Sequence, residues 1–171
     1  MKKSYSFIII FTCVIMSCSK IPQIKIDIDR ETFEKEYTAW MAQNNENYEF
    51  SYEYRSGSIG RVGPVSITIA ENEEPVIENL GHSSLEDYPA NNIKNISDIF
   101  NFINETFDHI EDIKNGYYKN SGKTVKSVSL MIKYNAQYHY PEKVSYGVSF
   151  AEKGIVGQPH YDLNITEFIS K

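Results

Sequence analysis

Ile96, Ile99, Phe100, Ile103, Phe107, Ile110 and Ile113 recur at three- and four-residue intervals, the spacing of one face of an α-helix. Asn95 stands where an N-cap belongs, Asp98 follows three residues later, and Gly116 sits at the stop. Buried together, seven such side chains contribute roughly 1.5–3 kcal/mol each, a gross term of about 10–20 kcal/mol before chain entropy is subtracted. A face of that size has to be covered, so this helix must lie on a sheet.

The sheet is written in period two. Tyr48, Phe50, Tyr52 and Tyr54 alternate with Glu49, Ser51, Glu53 and Arg55, giving a strand with an aromatic face and a charged one. Ser56 to Gly60 breaks it, Gly63-Pro64 opens a second strand with Val65, Ile67 and Ile69 inward, and a Glu71-Asn72-Glu73-Glu74 turn leads to a short third strand at Pro75 to Asn79. Connections this short exclude parallel crossovers, so the three form an antiparallel meander. Beyond the helix, Val128, Leu130, Ile132 and Tyr134, then Val144, Tyr146, Val148 and Phe150, then Tyr161, Leu163 and Ile165 repeat the alternation. Ahead of the meander, Asp29 caps a second amphipathic helix with Phe33, Tyr37, Trp40 and Met41 on one stripe, running to about Asn44. The expectation is a single α+β domain over 29–171, an antiparallel sheet of five or six strands with two helices packed on one face. The order helix–strand–strand–strand occurs twice, which suggests a repeat.

The chain ahead of that domain is of another kind. Lys2 and Lys3 precede an apolar run from Tyr5 to Met16, and Ile15-Met16-Ser17-Cys18 closes it. A basic head, a short apolar segment and a small residue at the cut mark an export signal. Twelve helical residues reach roughly 18 Å, short of a hydrocarbon core of about 30 Å, so the run is not a membrane span. Ile15-Met16-Ser17-Cys18 resembles the bacterial lipobox. That resemblance implies cleavage after residue 17, acylation of Cys18 on sulfur and on the new amino group, and a domain anchored to a membrane of the cell envelope. Residues 18–28 read as a tether in which Pro22 breaks any helix, and Ile24, Ile26 and Ile28 alternate with Lys25 and Asp27, so that part of it can add to the sheet as an edge strand. Two or more acyl chains anchor firmly where one is marginal. Ser19 leaves open the outer membrane and the periplasmic face of the inner one.

Removing 17 of 171 residues leaves 154, an ordinary single domain, with Cys18 as its one cysteine because Cys13 departs with the signal. Disulfides, cysteine-based zinc sites and a cysteine nucleophile are thereby excluded. Without Lys2 and Lys3 the chain has 15 basic against 23 acidic residues, a net −8 with no basic run. That balance argues against nucleic acid and against peripheral docking on anionic lipid. His82, His109, His139 and His160 lack metal-ligand spacing, and His109 falls on the polar side of the long helix between Asp108 and Glu111. Neither metal nor cofactor is expected. His82 beside Ser83 and Ser84, in the polar loop from Leu80 to Lys94, is the one arrangement open to a small envelope hydrolase, although no G-x-S-x-G elbow accompanies it. Tyrosine is the unusual residue, with 13 in the chain. One reading places them on the inner face of the sheet. The other makes Tyr117, Tyr118, Tyr138 and Tyr140 a stacking surface for a glycan or a partner protein.

Trp40 ahead of the first strand of the meander, the run Tyr52-Glu53-Tyr54-Arg55-Ser56, the helix start Ile96-Ser97-Asp98-Ile99-Phe100 and the corner Tyr134-Asn135-Ala136-Gln137-Tyr138-His139-Tyr140-Pro141 resemble a family of small bacterial lipoproteins whose domain has no assigned function. The likeness spans about Trp40 to Phe168. Members of that family carry a close cysteine pair after the first strand; Gly57 and Ile59 stand there instead, so no redox role of that loop carries over. The resemblance implies an envelope lipoprotein and adds no activity. With the anchor and no convergent set of reactive groups in the sequence, the expected role is non-catalytic: binding, scaffold or interaction.

Overall fold

The computed structural model describes residues 24–57, 60–79, 92–118, 122–154 and 158–171. The signal, Cys18 and the His82–Ser84 loop lie outside them. In chain order the elements are β1 (Lys25–Asp27), α1 (Arg30–Ala42), β2 (Tyr48–Ser56), β3 (Gly60–Ile69), β4 (Val76–Asn79), α2 (Ile96–Lys114), β5 (Val125–Tyr134), β6 (Pro141–Phe150) and β7 (His160–Ser170).

Both helices start where capping chemistry places them. The Asp29 carboxylate accepts from the Thr32 backbone N–H at 2.9 Å, and the Thr32 hydroxyl first, with that N–H second, holds its pKa below the usual aspartate value. At α2 the Asn95 side chain accepts from the Asp98 N–H at 2.9 Å while the Asp98 carboxylate accepts from the Asn95 N–H at 3.1 Å, a reciprocal box that satisfies both orphan donors. All seven apolar residues of the α2 stripe are buried. On α1, Phe33 and Trp40 are buried and Tyr37 is partly so, but Met41 is 55% exposed, and the helix ends at Ala42 rather than near Asn44.

The sheet has seven strands in the order β1-β5-β6-β7-β2-β3-β4. The expected sheet of five or six antiparallel strands is therefore corrected on two points. The Ile24–Ile28 alternation, open to either tether or edge strand, forms β1 at the sheet edge and brings the strands among the described residues to seven. That strand runs parallel to β5, so the sheet is mixed. The remaining pairs are antiparallel, and β2-β3-β4 is the expected meander.

A break in register between Ser51 and Tyr52 on β2 opposes the residues about Thr166 on β7. Because of it, Tyr161, Leu163 and Ile165 share a face with Phe168 although the interval from 165 to 168 is odd. Cross-strand partners put this whole set on the face of Phe50, Tyr52, Val65, Ile67, Leu130, Val144 and Tyr146. Both helices lie on that face and against each other: Phe33 meets Phe107 edge-on at 5.1 Å, Tyr37 meets Phe100 at 4.9 Å, and Trp40 crosses Tyr48 at 90°.

The twofold α-β-β-β order does not describe a duplicated unit. Moving from β5-β6-β7 to β2-β3-β4 reverses strand direction but keeps the left-to-right order, with both helices on the same face. No rotation relates two chiral units in that way.

Candidate functional site

The candidate site grows from one residue of α2 that lies off its main stripe. Phe102, Glu105, Thr106 and His109 follow one another at three- and four-residue steps and flank the core-facing row. Beneath them, β6, β7 and β2 present three tyrosines side by side. Tyr146 and Tyr161 are direct cross-strand partners, stacked at 5.3 Å and 29°, and Tyr54 stacks on the other side of Tyr161 at 5.9 Å and 26°. Phe102 tilts onto Tyr161 at 4.9 Å, and the His109 ring stands edge-on to Tyr146 at 6.2 Å and to Tyr118 at 5.3 Å. Between helix and strands lies an open crevice of about 330 Å³ lined by Tyr54, Phe102, Glu105, Thr106, His109, Tyr146 and Tyr161.

Its polar groups are few and specific. The Thr106 hydroxyl donates to the Phe102 carbonyl at 3.0 Å, and having one proton it accepts from Tyr161 at 2.6 Å. The Tyr146 hydroxyl is buried with no hydrogen-bond partner among the described residues. Burial pushes the pKa of both phenols well above the ordinary tyrosine value, so each stays a neutral donor. Apolar walls and ring faces suit a planar or ring-shaped ligand. Among the residues that line it, no nucleophile is paired with a base.

The four tyrosines singled out from the sequence are not brought together. Tyr140 is 7% exposed, stacks on Phe168 at 4.5 Å and crosses Trp40, so it belongs to the core. Tyr138 leans on the same Phe168 at 5.0 Å. Tyr117 is exposed just past the end of α2, and Tyr118 reaches the rim of the crevice through His109. The corner is instead a structural knot. Asn135 accepts from the backbone N–H groups of Gln137 and Tyr138 through its side chain, and His139 sits at φ 62° with its Nδ1 2.6 Å from the Glu36 carboxylate on α1. His109, read as a solvated polar-side residue, is half-buried against two tyrosines. His160 is exposed, its ring nitrogen 2.9 Å from the Gln158 carbonyl oxygen. Among the described residues no three His, Cys, Asp or Glu side chains converge on a point that could hold a metal.

The opposite sheet face is polar. Glu53, Arg55, Arg61, Lys143, Asp162 and Asn164 line a shallow cleft of about 320 Å³, with Arg61 paired to Glu53. Sequence reading missed the crevice because its members come from four separate elements. The available signal was Phe102, an apolar residue on α2 outside the stripe of seven. No family model, no curated protein and no solved structure matches the chain.

Proposed function

We propose that this chain is a bacterial envelope lipoprotein, anchored through an acylated Cys18, whose domain binds a ligand or partner without turning it over. The observation that carries the reading is the junction of anchor and fold. Ile15-Met16-Ser17-Cys18 ends the apolar run, and seven residues after Cys18 the chain is already β1 on the sheet edge. Nothing but a short tether fits between them, and no helix among the described residues is long and apolar enough to cross a membrane. Cys18→Ser is expected to abolish incorporation of radiolabelled fatty acid and to release the protein from the membrane fraction; labelling that persists in Cys18→Ser refutes the anchor.

The crevice supports a ligand-binding module as the form this role takes. The tyrosine and phenylalanine rings match the apolar ring faces of a sugar or an aromatic compound. Titration with envelope glycans, followed by tyrosine and tryptophan fluorescence, is expected to show saturable changes that Phe102→Ala removes. An unaltered response in Phe102→Ala excludes the crevice as the seat.

A further inference from the structure

Building on the anchored reading, we infer that the domain rests on its membrane with one end down: the end of the sheet where β5 begins faces anionic phospholipid headgroups. Strand direction fixes which end this is. β1 runs parallel to β5 with Lys25 opposite Ser127 and Asp27 opposite Ser129, so the segment leading back to Cys18 leaves past the Val125 end. Seven residues of fully extended chain reach at most about 25 Å. The tether therefore holds this end close to the bilayer and leaves the other a domain's length away.

The charges are distributed to match. At the Val125 end stand five exposed lysines: Lys25 on β1, Lys114 in the last turn of α2, Lys123 and Lys126 at the start of β5, and Lys153 in the turn after β6. Among the described residues, Glu111, Asp112 and Glu152 stand with them, and exposed Asp27 lies two residues along β1 from Lys25. Glu111 is paired with Lys114 at 3.2 Å, Glu152 accepts from the Thr124 backbone N–H at 2.9 Å, and Asp112 lies in the same helical turn. Tyr117, 73% exposed, projects at this end as well, and tyrosine is a residue suited to the headgroup layer.

At the far end the sign reverses. Glu46, Glu71, Glu73 and Glu74 are exposed on two turns that the Glu71 N–H to Asn47 side-chain bond holds together at 3.0 Å; of the lysines at this end, Lys171 is paired with Glu49 and Lys133 with Glu142, and Lys94 and Lys143 are exposed, so carboxylates still outnumber them. The sequence has no basic run, and its net negative charge argues against docking on anionic lipid; that expectation gives way here because the fold gathers lysines from separate stretches of the chain at one end and leaves the carboxylate surplus at the other. An anionic surface attracts the tethered end and repels the other, which orients a domain that the lipid alone would leave free to swivel.

The test uses the full chain, expressed with its signal, extracted from membranes in detergent and reconstituted into phosphatidylcholine vesicles with or without phosphatidylglycerol. Brominated lipids report depth by quenching a tryptophan introduced as Tyr117→Trp, and Trp40, buried at the opposite end, is the internal reference. The expected result is severalfold stronger quenching of the Tyr117→Trp emission than of Trp40. It should appear only with phosphatidylglycerol and be lost at about 1 M salt, where the Debye length is about 3 Å. The triple variant Lys123→Gln, Lys126→Gln, Lys153→Gln should lose the quenching, while Glu71→Gln, Glu73→Gln, Glu74→Gln keeps it. Vesicle-bound protein whose Tyr117→Trp emission is unquenched, or quenched equally on neutral vesicles, overturns the orientation. A chain that is missing from the membrane fraction overturns the anchor itself, and the orientation with it.

Discussion

Thr106→Val exchanges a hydroxyl for a methyl at a position only 7% exposed, with almost no change of shape. What it removes is the acceptor of the 2.6 Å bond from Tyr161 and the donor to the Phe102 carbonyl. The carbonyl keeps its place in the helix, but the Tyr161 hydroxyl is left buried and unpaired, a loss of about 1–3 kcal/mol. Tyr161→Phe acts on the same bond from the other side and should be milder, about 0.5–1.5 kcal/mol, because Thr106 retains its bond to the Phe102 carbonyl. The double variant has no orphaned phenol, so its loss should fall short of the two single losses added together by about 1 kcal/mol. Trp40, 4% exposed, reports unfolding in urea, and for a domain of this size each kcal/mol also lowers Tm by about 2–4 °C. Equal losses from the two single variants, combining additively, would refute the bond and with it the rigid floor assigned to the crevice.

Burial raises the pKa of Tyr52 to about 12 and pushes Tyr134, Tyr146 and Tyr161 up further. The folded chain keeps protons that the unfolded chain releases near pH 10, so this stabilisation is complete below pH 10 and drains as pH rises through the folded values. Four such phenols withdraw about 5 kcal/mol per pH unit, comparable with the whole net stability of a domain. Phenolate absorbance and loss of the Trp40 signal should therefore rise together between about pH 10 and 12, whereas phenolate appearing well ahead of unfolding contradicts the burial argument. Gly63 and Gly60 offer a matched pair. Both have positive φ, 102° and 85°, but a Cβ on Gly63 would lie 2.7 Å from the Tyr52 carbonyl oxygen, while one on Gly60 meets nothing within 4 Å. Gly60→Ala should cost about 1–2 kcal/mol from backbone strain and Gly63→Ala at least about 3 kcal/mol, read as urea midpoints; similar midpoints would contradict the close approach.

Local signals were legible where the chain speaks through its neighbours. Asn95 and Asp98, the cap at Asp29, and the alternation from Tyr48 to Tyr54 each decide their element within a few residues, and each is found as expected. The parallel pairing of β1 was not legible, because three residues leave almost no pattern and their partners, Ser127 to Ser129, lie about a hundred positions away. The course of β7 past Ile165 was hidden by the register shift that turns Phe168 inward. The crevice follows from both difficulties, since Tyr54, Phe102, Tyr146 and Tyr161 become neighbours only when strand order and register are set. The tyrosine corner misled for the opposite reason: Tyr138 and Tyr140 are close in sequence, but Trp40 and Phe168, which draw them into the core, are not.

With an anchor at Cys18, β1 is a leash as well as a strand. Three residue pairs hold it to β5, and a pull from the membrane acts along its length. Letting go would lengthen the free tether from seven residues to eleven, up to Asp29, and so free the domain to tilt and swivel. The same event would bare the backbone of β5, the kind of edge that accepts a strand from another protein. Freedom to swivel at the membrane and access to that edge are thus set by one short clasp.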